Sequence, residues 1–142
     1  MKNNILISLL ALLIMGCKTF NTGSLSISEL TVEMQQNPEG VSAMNPHFSW
    51  QLMSHKQDVM QSAYRIEVAD SEETLKAGSG LLWNSGHVDS DRSLLLEYAG
   101  TPLQSGKVYY WRVTVWTNTG DKVQSCIQHW SMALLDDSDW KA

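Results

Sequence analysis

The chain has 142 residues, 10 basic against 15 acidic, and a net charge of −5. That length is room for one ordinary domain, and a 43% apolar share with six tryptophans can build a sizeable core. No basic stripe runs through it, which argues against nucleic-acid binding, and the mild acidity reads as solubility.

The N-terminus carries the first signal. "MKNNILISLLALLIMGC" places Lys2 ahead of an apolar run from Ile5 to Met15. The run is too short to span a bilayer, which needs about 20 residues. A charged front and a short apolar middle mark a secretory signal peptide, here residues 1–16. The ending "IMGC" resembles a bacterial lipobox, although Met15 is bulkier than the small residue often found there. That resemblance implies lipid attachment at Cys17 and an exported chain anchored to the outer membrane. The absence of an acidic run beside the cysteine favours the periplasmic side. Two or more acyl chains hold stably, where one holds marginally. The alternative is a secreted protein cut near Gly16. Residues 17–24 then read as a tether. Acylation of Cys17 would leave Cys126 with no second cysteine for an internal disulfide, and "VQSCIQHW" makes Cys126 a small apolar strand residue.

From residue 25 to 134 the pattern is period-two alternation broken by turn residues, without a convincing helical period. "SISELTVE" alternates, with a slip at Glu29. "PHFSWQL" puts Phe48, Trp50 and Leu52 on one face. "AYRIEVA" puts Tyr64, Ile66 and Val68 on one face, with Arg65 and Glu67 on the solvent face. "DSEETLKAG" predicts one short helix, capped by Ser71 and ended by Gly78. "LLWNSG" is a short strand entering a turn, and "SLLLEY" pairs Leu94, Leu96 and Tyr98. "VYYWRVTVW" has a core face of Tyr109, Trp111, Val113 and Val115. Its other face, Tyr110, Arg112, Thr114 and Trp116, is unusually aromatic for a side turned to water. "VQSCIQHWSMAL" is a last strand, and turns are expected at "NPEG", "GSG", "NSG", "SG" and "NTGD". The sum is an all-β chain: an antiparallel β-sandwich of about seven strands, of the fibronectin type III or immunoglobulin-like kind.

Motifs of catalysis and metal binding are missing. There is no P-loop, GxGxxG or GxSxG. His47, His55, His87 and His129 are scattered, without zinc-ligand spacing, so no metal and no cofactor is expected. An inverting glycosidase needs two carboxyl groups roughly 6.5–9.5 Å apart, and nothing pairs two here. Asp136, Asp137 and Asp139 read as a solvated acidic stub. Trp50 and Trp111 read as core, Trp83 as ambiguous. Tyr110, Trp116 and Trp140 suit either sugar stacking or a domain contact.

Two resemblances follow from these residues. "LQSGKVYYWRV", with Leu103 six residues before Tyr109, resembles the E–F corner and F strand of a fibronectin type III domain, which implies that the Tyr109 hydroxyl bonds back to the corner. More narrowly, "LTVEMQQNPEGVSAMNPHFSWQL", "QSAYRIEVADS", "GLLWNSGHVDSD", "YYWRVTVW" and "DSDWKA" occur in the order of the N-terminal domain of bacterial α-L-rhamnosidases, glycoside hydrolase family 78. His47 stands where such enzymes have an arginine. The family implies further β domains and an (α/α)-barrel whose glutamates hydrolyse terminal α-L-rhamnose. No position here matches that barrel, so no residue inherits a catalytic role. The resemblance implies a non-catalytic accessory domain, with residues 135–142 opening a linker to a following domain. Tyr110, Arg112 and Trp116 become a docking face for that domain, exposed as an apolar patch in its absence. The alternative is a stand-alone lipoprotein that binds a glycan through the same aromatics.

Overall fold

The computed structural model describes residues 25–139. The proposed signal peptide, Cys17, the tether and Trp140 lie outside the described residues.

Two antiparallel sheets face each other. One has three strands, β1 (Leu25–Val32), β2 (His47–Ser54) and β6 (Leu96–Glu97), in the order β1-β2-β6. The other is built on the long central pair β3 (Gln61–Ala69) and β7 (Val108–Thr117). The short strands β4 (Trp83–Asn84) and β5 (Val88–Asp89) pair with the outer edge of β3. On the far side of β7 lie β8 (Lys122–Gln124) and β9 (Gln128–Ser131). This is the sandwich arrangement in which alternate residues of each strand meet between the sheets.

The described strands number nine, because one expected segment divides and one short strand, β5, was not expected. The last stretch is not one strand. It breaks at Ser125, whose hydroxyl accepts from the Val113 amide at 3.0 Å and so replaces a ladder contact. The stretch after Trp83 turns at "NSG" and yields both β4 and β5. The slip at Glu29 is a bulge: the β1–β2 register shifts between Ser28 and Thr31, and Glu29 has φ 48°. That shift returns Val32 to the core opposite Phe48. In "SLLLEY" the expected triplet is corrected. Leu95 takes φ 55°, which turns Leu94 outward to 57% exposure while Leu96 and Tyr98 stay buried. Cys126 lies half-buried between β8 and β9 and is not a free thiol, which corrects its expected role as a lone apolar residue.

Phe48 is fully buried at the centre of the core, with its ring 4.7 Å from Trp111, 5.5 Å from Trp130 and 6.0 Å from Trp83. Trp50 packs edge-on to Tyr64 at 5.4 Å and donates its Nε1–H to Gln61 Oε1 at 2.9 Å. Aromatic pairs in such geometries add to what their buried area contributes.

Two tyrosines pin the loops between the sheets. The Gln104 amide donates to Tyr109 Oη at 2.7 Å, next to the buried Leu103, which closes the corner before β7. Tyr98 Oη donates to the Thr101 carbonyl at 2.6 Å. Burial pushes the Tyr98 hydroxyl up to about 12, with Tyr109 adding to the effect. The neutral form is therefore favoured in the folded state. That stabilisation is complete below the ordinary tyrosine value near 10 and disappears as pH rises through about 12. A fall of about 2–3 kcal/mol between pH 10 and 12 is expected from this one group. Urea midpoints across that range should show it, and Tyr98→Phe should flatten that part of the decline.

Helix α1 (Glu72–Ala77) follows β3. The Ser71 hydroxyl accepts from the Thr74 amide at 3.1 Å, and Gly78 ends the helix at φ 70°, a left-handed conformation suited to glycine. Leu75 and Ala69 are both fully buried yet stand outside the central core cluster. Since α1 contacts β3 and β7, it covers one end of their outer face.

Candidate functional site

The outer face of the β3–β7 pair is where the sequence placed its unusual aromatics. Register sets the layout. Ala63, Arg65, Glu67 and Ala69 of β3 lie opposite Trp116, Thr114, Arg112 and Tyr110 of β7. On the flanks, Lys122 lies beside Trp116 and His129 beside Tyr110.

This face is largely closed by its own side chains. Arg112 Nε donates to Glu67 Oε2 at 2.9 Å, and the two side chains are only 15% and 6% exposed. Glu67 is thus not on a solvent face, contrary to the sequence reading. The alternation was read correctly, but the Arg112 side chain lies against Glu67 where solvent was expected. Tyr110 is half-buried against the His129 ring at 6.4 Å. Trp116, also half-buried, meets the edge of His87 at 4.4 Å, with Arg65 Cζ and Lys122 Nζ each 5.5 Å from its centroid. The expected bare apolar patch at Tyr110, Arg112 and Trp116 is therefore corrected. What is present is an ion pair at one end and a tryptophan held among cations at the other.

The remaining candidates are structural. Trp50, Trp111, Tyr109 and Leu103 are buried in the core. Trp83 is half-buried and packs against that core, edge-on to Tyr98 at 5.3 Å. Trp130 is fully buried and had no place in the sequence reading, although its alternation with His129 and Ser131 carried the signal. Asp139 is not a free acidic stub. It accepts from the Ser105 hydroxyl, and Ser105 Oγ in turn accepts from the Leu135 amide at 2.8 Å, so the 3₁₀ turn Asp137–Asp139 folds back onto the corner before β7.

Several carboxylates are committed to local partners. Glu33 accepts from the His47 amide at 2.7 Å and lies 2.9 Å from that ring. Glu72 pairs with Lys76 at 3.2 Å and Asp89 with His87 at 3.1 Å. A cavity of about 200 Å³ between Glu33, Pro38, Glu39 and Val41 has Glu33 turned to His47 on its rim. Among the described residues no three histidine, cysteine, aspartate or glutamate side chains converge as metal ligands would.

Residues 27–136 match the family described as Rha78A-like, N-terminal immunoglobulin domain. An α-L-rhamnosidase of Formosa agariphila is 34% identical over 143 residues, covering 97% of this chain and 15% of that protein. One from Streptomyces avermitilis is 37% identical over 120 residues, covering 84% of this chain and 12% of that protein. The crystal structure of the Streptomyces avermitilis α-L-rhamnosidase complexed with L-rhamnose superposes with a TM-score of 0.77. The α-L-rhamnosidase from Dictyoglumus thermophilum, 33% identical, also gives 0.77, over 82% of this chain and 13% of that one. The chain thus spans roughly an eighth of the length of the relatives it matches.

Proposed function

The chain belongs to the Rha78A-like, N-terminal immunoglobulin domain family, and from that premise we propose that it is a non-catalytic accessory sandwich of an α-L-rhamnosidase-type system acting on rhamnose-bearing glycans. The observation that carries this reading is where the similarity falls. It covers most of this chain but only 12–15% of each relative, within a domain described as N-terminal and immunoglobulin-like. The layout of the site fits. Glu67, the most buried carboxylate described, is held by Arg112. The domain's role is then to pack and space.

Contact with a following domain is assigned to the end of the sandwich at which Asp139 docks. There Val108 and Leu134 are 43% and 44% exposed, on adjoining paired segments. The sealed outer face is less suited to it. The test is hydrolysis of an aryl α-L-rhamnoside by the purified chain. No release is expected at any protein concentration; turnover that follows the protein through purification and is lost on mutation of its carboxylates overturns the reading.

The lipobox-like "IMGC" supports export and anchoring through Cys17 on the periplasmic face of the outer membrane. Mass spectrometry of the membrane fraction should find the N-terminal peptide beginning at an acylated Cys17. The Cys17 sulfur can hold a thioether or a disulfide but not both, so a peptide cross-linked through Cys17 would contradict the anchor.

A further inference from the structure

At the end of the sandwich where β3 gives way to α1, a cavity of about 180 Å³ opens beside the corner before β7. Its deepest lining residue is Tyr109, 2% exposed. Asp70, directly after β3, and Gln104 and Lys107, from the corner, are exposed and form its polar rim. Leu82 and Pro102 supply apolar wall. The pairing of Ala69 with Tyr110 puts this cavity on the β3 side of β7, whereas Leu134 and Asp139 follow β9 on the other side. The cavity is therefore separate from the surface assigned to a following domain.

Its polar groups have unspent bonding capacity. Tyr109 Oη accepts from the Gln104 amide at 2.7 Å, and among the described residues it donates to none. Nor do the Asp70 carboxylate, the Lys107 ammonium or the Gln104 side-chain amide have an ion pair or a side-chain hydrogen bond there. Lone charges on a rim are ordinary, because water solvates them. A tyrosine buried to this degree ordinarily spends its hydroxyl proton. One carboxylate and one ammonium cancel in charge, so neither an anion nor a cation is favoured. Hydroxyl groups, each both donor and acceptor, match an accepting carboxylate, a donating ammonium and phenol, and an amide that does both. The volume lies below the roughly 300–1,000 Å³ of pockets for drug-sized ligands, which limits an occupant to about one ring.

We infer that this cavity is a binding site for a single neutral sugar unit, the end residue of a glycan chain. Its hydroxyl groups take the Tyr109 proton and meet the Asp70 and Lys107 rim, and its C–H groups rest on Leu82 and Pro102. That the occupant is a sugar rests on the accessory-domain reading, whereas the preference for a neutral polyhydroxyl compound rests on the lining side chains alone.

The experiment is an NMR titration of the full chain, following the backbone amides of Gln104, which donates to Tyr109 Oη, and of Lys107. The probes are methyl α-L-rhamnoside, glycerol and sodium acetate. Saturable shifts are expected with the rhamnoside, unchanged by added salt because the ligand is uncharged, and none with the other two at the same concentration. Asp70→Ala and Lys107→Ala, both at exposed positions, are each expected to weaken rhamnoside binding by about fivefold or more, with the wild-type circular dichroism retained. No saturable response to the rhamnoside overturns the site, as does binding unchanged in both variants. An equal response to glycerol overturns the sugar assignment; a saturable response to acetate overturns the preference for a neutral ligand. The hydrolysis assay is separate. A chain that cleaves rhamnosides and still loses binding in both variants would refute the accessory role and leave this site standing; a chain that neither cleaves nor binds keeps the accessory role and loses the site.

Discussion

Gly100→Ala is expected to destabilise the fold by about 3 kcal/mol or more, at or beyond the upper end of overpacking costs. The reason is space and not backbone freedom. A Cβ built at Gly100 would stand 2.4 Å from Trp83 Cβ, 2.6 Å from the Leu82 carbonyl oxygen and 2.6 Å from Tyr98 Oη. Two of those three atoms cannot swing away. The Leu82 carbonyl accepts from the Thr101 amide at 3.0 Å, and Trp83 packs on Phe48 at 6.0 Å. The methyl group would therefore push on the Tyr98–Thr101 bond and on the core aromatics together. Urea unfolding measures this directly; a loss below about 1 kcal/mol would mean that the loop yields freely.

Removing one partner of the Glu67–Arg112 pair is expected to cost about 3–5 kcal/mol, because a single buried charge is left unpaired. With side chains only 6% and 15% exposed, the survivor has little access to water. Glu67→Met and Arg112→Met should each be strongly destabilising. The double replacement should recover most of the loss, since an apolar pair of similar volume often matches a buried ion pair. A double-mutant cycle by denaturant unfolding gives the coupling. Single variants that each lose less than about 1 kcal/mol would place the pair with ordinary surface salt bridges.

The alternation of apolar residues made the sandwich legible. Tyr64, Ile66 and Val68 and Tyr109, Trp111, Val113 and Val115 all face inward and are buried. The short helix was legible too, because Ser71 and Gly78 act through local geometry that the sequence states outright. The β1 irregularity was visible as a slip at Glu29, whose cause is a bulge. The fate of the outer face was not legible. Periodicity says which side of a strand a residue occupies, not what lies over that side. Leu75, far from β7 in sequence, helps to bury the end of that face, and Glu67 becomes half of an ion pair. Trp116 was flagged as an aromatic out of place, but its two cations come from β3 and β8, and only their pairing brings them to one ring. Leu94 misled because a single left-handed residue, Leu95, ends the alternation. Tyr98 and Gly100 were missed as a unit, since a close approach between loops leaves no periodic mark.

If the chain is an accessory sandwich with its own core and a self-sealed outer sheet face, it should fold without the rest of a rhamnosidase. The direct measurement is urea unfolding of the isolated chain, followed in parallel by far-ultraviolet circular dichroism and tryptophan fluorescence. One cooperative, reversible transition with coincident midpoints is predicted. Separated transitions, or a gradual loss of signal without a transition, would show that the fold depends on surfaces outside this chain and would contradict the central claim.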